Sequence, residues 1–210
     1  KVIYVTSTVK GEGKTFTALN LALTYASMKK KVLLIGADLR NPQLHTYVNM
    51  SKDRSGLSNY LYQPDTNWKK NTVNGAFGEL LVDVLFSGAE PPNSAELLSN
   101  GRFSTLLEEA KEAYDYVIVD TAPTMLVTDT LLISQQADIT IYVTRANYTE
   151  KKLLEFSKKL KTEGKLKHMA YVVNNVDVRS SHGYGYNYGY GYGYNEAIVK
   201  EQWFKRLFKK

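Results

Sequence analysis

The sequence contains no cysteine, and it has only five prolines and three histidines among 210 residues. The lack of cysteine excludes disulfide bonds and thiolate metal sites, and it is typical of a cytosolic setting. No apolar run approaches the roughly 20 residues that a membrane-spanning helix needs, and the start has no signal-peptide pattern. We therefore expect a soluble chain long enough to bury the core of one domain.

The sequence begins directly with an apolar, β-branched run over residues 2–5, and no initiator Met precedes it. We interpret Lys1 as a cut made inside a longer protein, so a preceding segment is expected.

Residues 6–15 lie between this apolar run and a helical pattern over residues 16–28. A strand, a glycine-containing loop and a helix in this order are typical of a phosphate-binding loop. Gly11 and Gly13 leave room for a phosphate to approach the backbone amides. The usual pattern G-x-x-x-x-G-K-[ST] lacks its first glycine here, because Thr8 occupies that position.

Two side chains follow the loop glycines in the positions that nucleotide chemistry needs. Lys14 would reach the β- and γ-phosphates of ATP, and the Thr15 hydroxyl would ligate Mg²⁺. The predicted nucleotide-binding residues of the loop are Gly11, Glu12, Gly13, Lys14, Thr15 and Phe16.

Two further apolar runs are followed by a carboxylate. Residues 32–35 precede Asp38 and Arg40, and residues 116–119 precede Asp120. Ligands of open parallel sheets bind beyond the carboxyl ends of the strands, so both carboxylates are expected near the loop. Asp38 could ligate Mg²⁺ or accept a proton from a nucleophile, and Asp120 is expected to hold Mg²⁺.

The remaining pattern alternates strands with helices. It predicts an α/β fold with a doubly wound, mostly parallel sheet of the P-loop NTPase type, and all candidate ligands at one edge. Ser94 is expected to cap a helix, and residues 44–75 are expected to be irregular apart from a short helix beginning near Gly56. The further predicted strands are 80–86, 139–143 and 170–173, and the further helices are 94–98, 102–113 and 150–161.

Residues 183–194 alternate glycine or asparagine with tyrosine, which predicts a flexible tail with exposed phenols. In a nucleotide-binding protein such phenols suggest phosphate acceptors, and each phosphorylation would add about −1.5 to −2 charges. Nucleic acid is not expected as a partner, because Lys and Arg do not alternate with the aromatic residues. The predicted acceptors are Tyr184, Tyr186, Tyr188, Tyr190, Tyr192 and Tyr194.

Residues 196–210 carry a net charge of +3 and place Val199, Trp203 and Leu207 on one stripe of a predicted helix. Such a basic amphipathic helix either lies on an anionic membrane surface or packs against protein, and the sequence leaves both open. The predicted organisation is a P-loop domain over 1–180, a tyrosine cluster over 181–195 and this helix over 196–210.

Taken together, the motifs resemble the bacterial tyrosine kinases (BY-kinases) that act with polysaccharide export and chain-length machinery. The resemblance implies ATP-dependent autophosphorylation of the tail, in trans, within a homo-oligomeric ring that is an octamer by resemblance. It also implies a membrane-spanning activator, an opposing tyrosine phosphatase and a location on the cytoplasmic side of the bacterial membrane. The matching segments are 11–15, 34–40, which is similar to the family's second Walker motif, 87–93, 96–98, 114–121 and the tyrosine cluster.

The resemblance also implies a set of catalytic residues. Lys14 would hold the phosphates, and Asp38 would lie near the attacking phenol. Asp120 and Thr15 would bind Mg²⁺, and Arg40 completes the catalytic set. Asn174 beyond the last strand is a predicted nucleotide contact.

The sequence departs from the family at two places. Gly36 stands where the second Walker motif commonly has the first of two aspartates, which predicts a weakened rate or a double role for Asp38. The upstream helix with a Glu-x-x-Arg-x-x-Arg pattern is missing, so rings of this chain are expected to be unstable.

Two other functions remain open from the sequence. A positioning ATPase similar to the ParA/MinD type shares the expected fold, but Val9 occupies the place of its signature lysine, and Lys10 comes one residue late. A regulatory module that binds nucleotide without catalysis would be consistent with Gly36.

Overall fold

The computed structural model describes residues 1–48, 51 and 54–177. Lys1–Val176 form one compact unit, and Asp177 is the last residue that the structure describes. The predicted boundary at residue 180, the tyrosine cluster and the C-terminal helix therefore lie outside the described residues and remain predictions.

The described strands form one sheet in the order β3-β2-β4-β1-β5-β6. All five neighbouring pairs run parallel, and one isolated antiparallel bridge joins Val73 to Val84. This confirms the predicted α/β class. The strands are β1 (Val2–Ser7), β2 (Val32–Gly36), β3 (Val82–Leu85), β4 (Tyr116–Asp120), β5 (Ile139–Arg145) and β6 (Met169–Asn174).

The helices connect successive strands on both sides of the sheet. Within α1, Ala18, Leu19, Ala22 and Leu23 are buried at the spacing that places them on one face. The described helices are α1 (Lys14–Ser27), α2 (Leu57–Tyr62), α3 (Ser94–Ser99), α4 (Arg102–Ala113), α5 (Asp129–Ile133) and α6 (Lys151–Thr162), with 3-10 turns at Leu44–Tyr47, Trp68–Asn71 and Ser134–Gln136.

The central strand β1 is buried on both faces. Ile3 and Val5 pack in the apolar cluster that includes α1, whereas Val2 and Tyr4 pack in the cluster that includes α4. Alternate side chains of a strand point to opposite faces, so β1 joins the two halves of the core. The loop that follows β1 therefore starts from one of the most constrained strands of the molecule.

Several predicted elements are confirmed, and others need correction. The bounds of α4 and β4 agree with the prediction, but β3 is shorter than residues 80–86, and α5 was not predicted. Asn93 is the N-cap of α3, not Ser94, whose hydroxyl donates to the Pro91 carbonyl at 3.4 Å. Residues 44–75 contain two 3-10 turns beside the expected short helix.

No helix within the described part of the chain is long and apolar enough to cross a membrane.

Candidate nucleotide and magnesium site

The sheet brings the predicted charged residues to one edge. β1 lies next to β4, and β4 lies next to β2, so the carboxyl ends of these strands are neighbours. Asp120 is the last residue of β4 and pairs in register with Gly36, two residues before Asp38. Lys14 is the first residue of α1, directly after the loop from β1.

Lys14 lies between the two carboxylates. Its ammonium is 2.9 Å from Asp38 Oδ2 and 3.6 Å from Asp120 Oδ1. It also lies 3.4 Å from the Thr15 hydroxyl, and all four residues are buried. Asp38 accepts a further hydrogen bond from the Asn41 amide at 3.0 Å, which fixes the turn after β2.

Burial and charge oppose each other in this cluster. Burial disfavours the charged form of Lys14, but Asp120 and Asp38 outweigh it, and the pKa of Lys14 is raised above its ordinary value. Burial raises the pKa of Asp120 against the opposing effect of Lys14. The ammonium therefore stays charged, and Asp38 is its closer partner.

The donor set fits Mg²⁺. Asp120 Oδ1 is buried without a hydrogen-bond partner, and its ion pair with Lys14 is long at 3.6 Å, so this carboxylate oxygen is available to a metal cation. No group of three or more His, Asp or Glu side chains that could hold a metal occurs among the described residues. Mg²⁺ commonly binds through one or two carboxylates together with substrate phosphates, so Asp120, Asp38 and the Thr15 hydroxyl suffice.

The phosphate loop has the backbone that its glycines allow. Gly11 and Gly13 have φ values of 88° and 100°, in the left-handed region that favours glycine. Gly13 is the N-cap of α1, whose first amides have no acceptor within the helix. Amides of this kind at a helix N-terminus attract anions.

Glu12 is fully buried beneath the loop. Its carboxylate accepts hydrogen bonds from the Val9 amide at 2.7 Å and from the Thr149 hydroxyl. The predicted loop residue Glu12 thus ties the loop to the segment after β5.

Arg40 is held at the site by a residue that the sequence did not reveal. Its Nε and Nη2 donate to the two oxygens of Asp129 at 2.8 and 3.1 Å. This hydrogen bonding raises the pKa of Arg40, and 46% of its side chain remains exposed. Asp129, the first residue of α5, is 1% exposed.

The two remaining predicted nucleotide contacts, Phe16 and Asn174, lie at the edge of the site. Phe16, in the first turn of α1, is 49% exposed. Asn174 donates from Nδ2 to the Glu12 carbonyl at 3.0 Å, so it contacts the loop itself.

The departure at Gly36 has a structural counterpart. The Ser87 hydroxyl donates to the Gly36 carbonyl at 2.9 Å, and a Cβ at position 36 would lie 2.8 Å from Ser87 Oγ. A side chain here requires Ser87 to move.

Sequence reasoning missed Arg145, Tyr148 and Thr149, which contact the loop from the end of β5. The rule that pointed to Asp38 and Asp120 applies here as well, because polar residues follow the carboxyl end of a strand.

Comparison with known proteins identifies similar chains. Residues 1–169 match the family described as an AAA domain. Tyrosine-protein kinase YwqD of Bacillus subtilis is 38% identical over 189 residues, which are 88% of this chain and 77% of YwqD. Tyrosine-protein kinase Etk of Escherichia coli is 36% identical over 183 residues, 87% of this chain but only 25% of Etk.

Solved structures agree. The kinase domain of E. coli Etk superimposes with a TM-score of 0.79 at 33% identity, over 90% of this chain and 72% of that domain. The Mg-ADP complex of the septum site-determining protein MinD from Pyrococcus horikoshii has a TM-score of 0.66 at 19% identity, over 82% of this chain and 69% of MinD. The second likeness shows the P-loop fold alone.

Proposed function

This chain belongs to the bacterial tyrosine-protein kinase family, and on that premise we propose that it autophosphorylates the tyrosine cluster of its C-terminal tail with ATP. The observation that carries the proposal is the buried cluster of Lys14, Asp38 and Asp120 at the phosphate loop. Phosphoryl transfer depends chiefly on positioning and on neutralising charge, and this cluster provides both.

The reaction joins a tail phenol to the terminal phosphate of ATP. A bond forms between the phenolic oxygen and the γ-phosphorus, the bond from that phosphorus to the β,γ-bridging oxygen breaks, and ADP leaves. The phenolic proton passes to the Asp38 carboxylate. Lys14 supplies positive charge to the phosphates, and Arg40 supplies it at the exposed side of the site.

Thr15, Asp38 and Asp120 would hold Mg²⁺. When bound, Mg²⁺ neutralises the charge that develops on the phosphate oxygens. Asp120 Oδ1, which is buried and makes no hydrogen bond, supports this assignment.

The nucleotide would be bound by the loop residues and by Asn174, the last residue of β6. The amides at the start of α1 provide donors for phosphate oxygens. Asn174 donates a hydrogen bond from Nδ2 to the Glu12 carbonyl, so its Oδ1 is the atom proposed to contact the nucleotide. The loop set is Gly11, Glu12, Gly13, Lys14, Thr15 and Phe16.

The acceptors are the six tyrosines between residues 184 and 194. Phosphorylation of several would make the tail strongly anionic, which is a switch for binding partners. The proposal includes transfer in trans within a ring, an octamer by resemblance, and regulation of capsular or exopolysaccharide synthesis and export.

The proposed partners are a membrane-spanning activator and a tyrosine phosphatase, at the cytoplasmic side of the bacterial membrane. The basic stretch 196–210 is suited to contact an anionic membrane surface.

The test is incubation with Mg²⁺ and ATP, followed by intact mass and peptide mapping. We expect added phosphate on residues 184–194. Lys14→Met and a variant with all six tail tyrosines changed to Phe should gain none. Far-UV circular dichroism of each variant establishes that it is folded.

ATP hydrolysis without phosphotyrosine would overturn the proposal in favour of a positioning ATPase. Nucleotide binding with neither turnover nor phosphotyrosine, even in the presence of the proposed activator, would indicate a regulatory module.

A further inference from the structure

We propose that Arg145, Tyr148 and Asn174 form a clamp that orients the phosphate loop for nucleotide phosphates. These three side chains, called the loop clamp below, are positioning residues. The inference rests on the proposed function, since the ligand is the polyphosphate of a nucleoside triphosphate.

The loop clamp contacts three consecutive carbonyl groups. Tyr148 donates from its hydroxyl to the Lys10 carbonyl, Arg145 donates from Nη1 to the Gly11 carbonyl, and Asn174 donates from Nδ2 to the Glu12 carbonyl. Each distance is 3.0 Å. One side chain of the loop clamp therefore serves each of these three carbonyls.

The carbonyls on either side of these three also accept hydrogen bonds, from backbone amides and hydroxyl groups. Ser7 and Thr8 accept from the amides of Thr124 and Met125, and Gly13 accepts from the amide of Thr17. The Val9 carbonyl accepts from the Ser7 hydroxyl at 2.8 Å. Seven consecutive carbonyls, from Ser7 to Gly13, thus have a donor.

This bonding determines where the loop amides point. In a planar trans peptide the carbonyl and the following N–H point in opposite directions. Fixing the carbonyls of residues 10–12 toward the loop clamp turns the amides of residues 11–13 away from it. Successive amides that converge in this way form a concave site for an anion.

The two glycines allow the loop clamp to approach closely. A Cβ on Gly13 would lie 2.1 Å from Asn174 Nδ2, and a Cβ on Gly11 would lie 3.1 Å from the Tyr148 hydroxyl. The glycines are therefore required for packing against the loop clamp as well as for their positive φ.

The sheet order places the loop clamp opposite the reacting groups. β1 has β4, which carries Asp120, on one side, and β5 and then β6 on the other. Arg145 ends β5, Asn174 ends β6, and Tyr148 lies just beyond β5. Asp38 and Asp120 thus approach the loop from one side, and the residues that set its backbone approach from the other.

Tyr148→Phe is the most direct test, because it removes one hydroxyl and no charge. We expect Mg-ATP to bind about 3- to 10-fold more weakly, which is the effect of one net hydrogen bond. The affinity for inorganic tripolyphosphate should fall by the same factor. Titration calorimetry measures both ligands, and Tyr62→Phe, at a tyrosine that is 72% exposed, is the matched control.

Asn174→Asp extends the test by replacing a donor with an acceptor that faces the Glu12 carbonyl. Asn174→Asp should weaken the binding of both ligands, and far-UV circular dichroism should show that both variants are folded. Unchanged binding of both ligands by Tyr148→Phe would overturn the loop clamp. Weaker binding of ATP alone would also overturn it, since that result indicates a contact to the base or ribose.

Binding of ATP and of tripolyphosphate by the wild-type chain distinguishes a failure of the loop clamp from a failure of the proposed function. If it binds ATP but not tripolyphosphate, the loop clamp is wrong and the proposed function stands. If it binds neither, both are wrong.

Discussion

Glu12 shows at the scale of one residue how a buried side chain shapes the site. Its two carboxylate oxygens accept from the Val9 amide and the Thr149 hydroxyl, so both donors need an acceptor at this position. A neutral amide of the same size can satisfy only one of them.

We therefore expect Glu12→Gln to lower the free energy of unfolding by about 1 to 3 kcal/mol, the cost of a buried donor without an acceptor. Urea denaturation at neutral pH measures the change. Glu79→Gln, at an exposed glutamate, is the control and should have no effect. An equal loss in both variants would contradict this role of Glu12.

Individual site residues could be predicted where a motif or a strand end marks them. Lys14 and Thr15 follow the loop glycines, and Asp38 and Asp120 follow apolar strands, so the parallel sheet necessarily brings them together. Asp129 could not be predicted, because no pattern links it to Arg40 across 89 residues.

At the scale of elements, α5 anchors the loop after β2. The helix spans only Asp129–Ile133, and its buried residues include Asp129 and Thr130. So short a segment with buried polar side chains lacks the apolar period by which helices are predicted. In contrast, α4 has that period over Arg102–Ala113, and its bounds were predicted correctly.

The ion pair between Arg40 and Asp129 gives a prediction about this anchor. Arg40→Ala should destabilise the fold by about 2 kcal/mol, because it leaves the buried Asp129 carboxylate without its cation. Adding Asp129→Ala should recover part of the loss. Urea denaturation of the two single variants and the double variant measures the coupling. Strictly additive losses would show that the pair does not link α5 to this loop.

Asp138, just before β5, ties the start of β5 to the start of β1. Its Oδ2 accepts from the Val2 amide at 2.7 Å, and this hydrogen bond lowers the pKa of Asp138 below its usual value of 3.8. A carboxyl with a lowered folded pKa adds stability that is complete above pH 3.8 and is lost as the pH falls through the folded pKa.

We expect Asp138→Ala to cost about 1 kcal/mol at pH 7, a value reduced because the carboxylate is exposed. The difference from wild type should shrink as the pH falls below the ordinary carboxyl range. Urea denaturation from pH 7 to pH 3 measures this difference in the free energy of unfolding, and Asp65→Ala, at an exposed aspartate, is the control. A difference that does not depend on pH would show that the ionised carboxylate is not the stabilising group.

At the scale of the whole molecule, one parallel sheet places the phosphate loop, the carboxylates and the loop clamp at a single edge. This arrangement could be predicted, since alternating strands and helices allow few topologies. The strand-end rule also marks Arg145 and Asn174, but the hydrogen bonds of the loop clamp could not be predicted, because they depend on side-chain packing between residues more than 130 positions apart.

Transfer in trans means that the site of one copy phosphorylates the tail of another. The direct measurement mixes two chains, neither of which can label its own tail, with Mg²⁺ and ATP. Lys14→Met has an altered site and an intact tail, and the six-Phe variant has an intact site and no acceptor. Intact mass distinguishes the two chains.

We expect phosphate on residues 184–194 of the Lys14→Met chain in the mixture, and none when either variant is incubated alone. An unlabelled mixture, under conditions in which the wild-type chain labels its tail, would contradict transfer in trans and confine the reaction to a single chain.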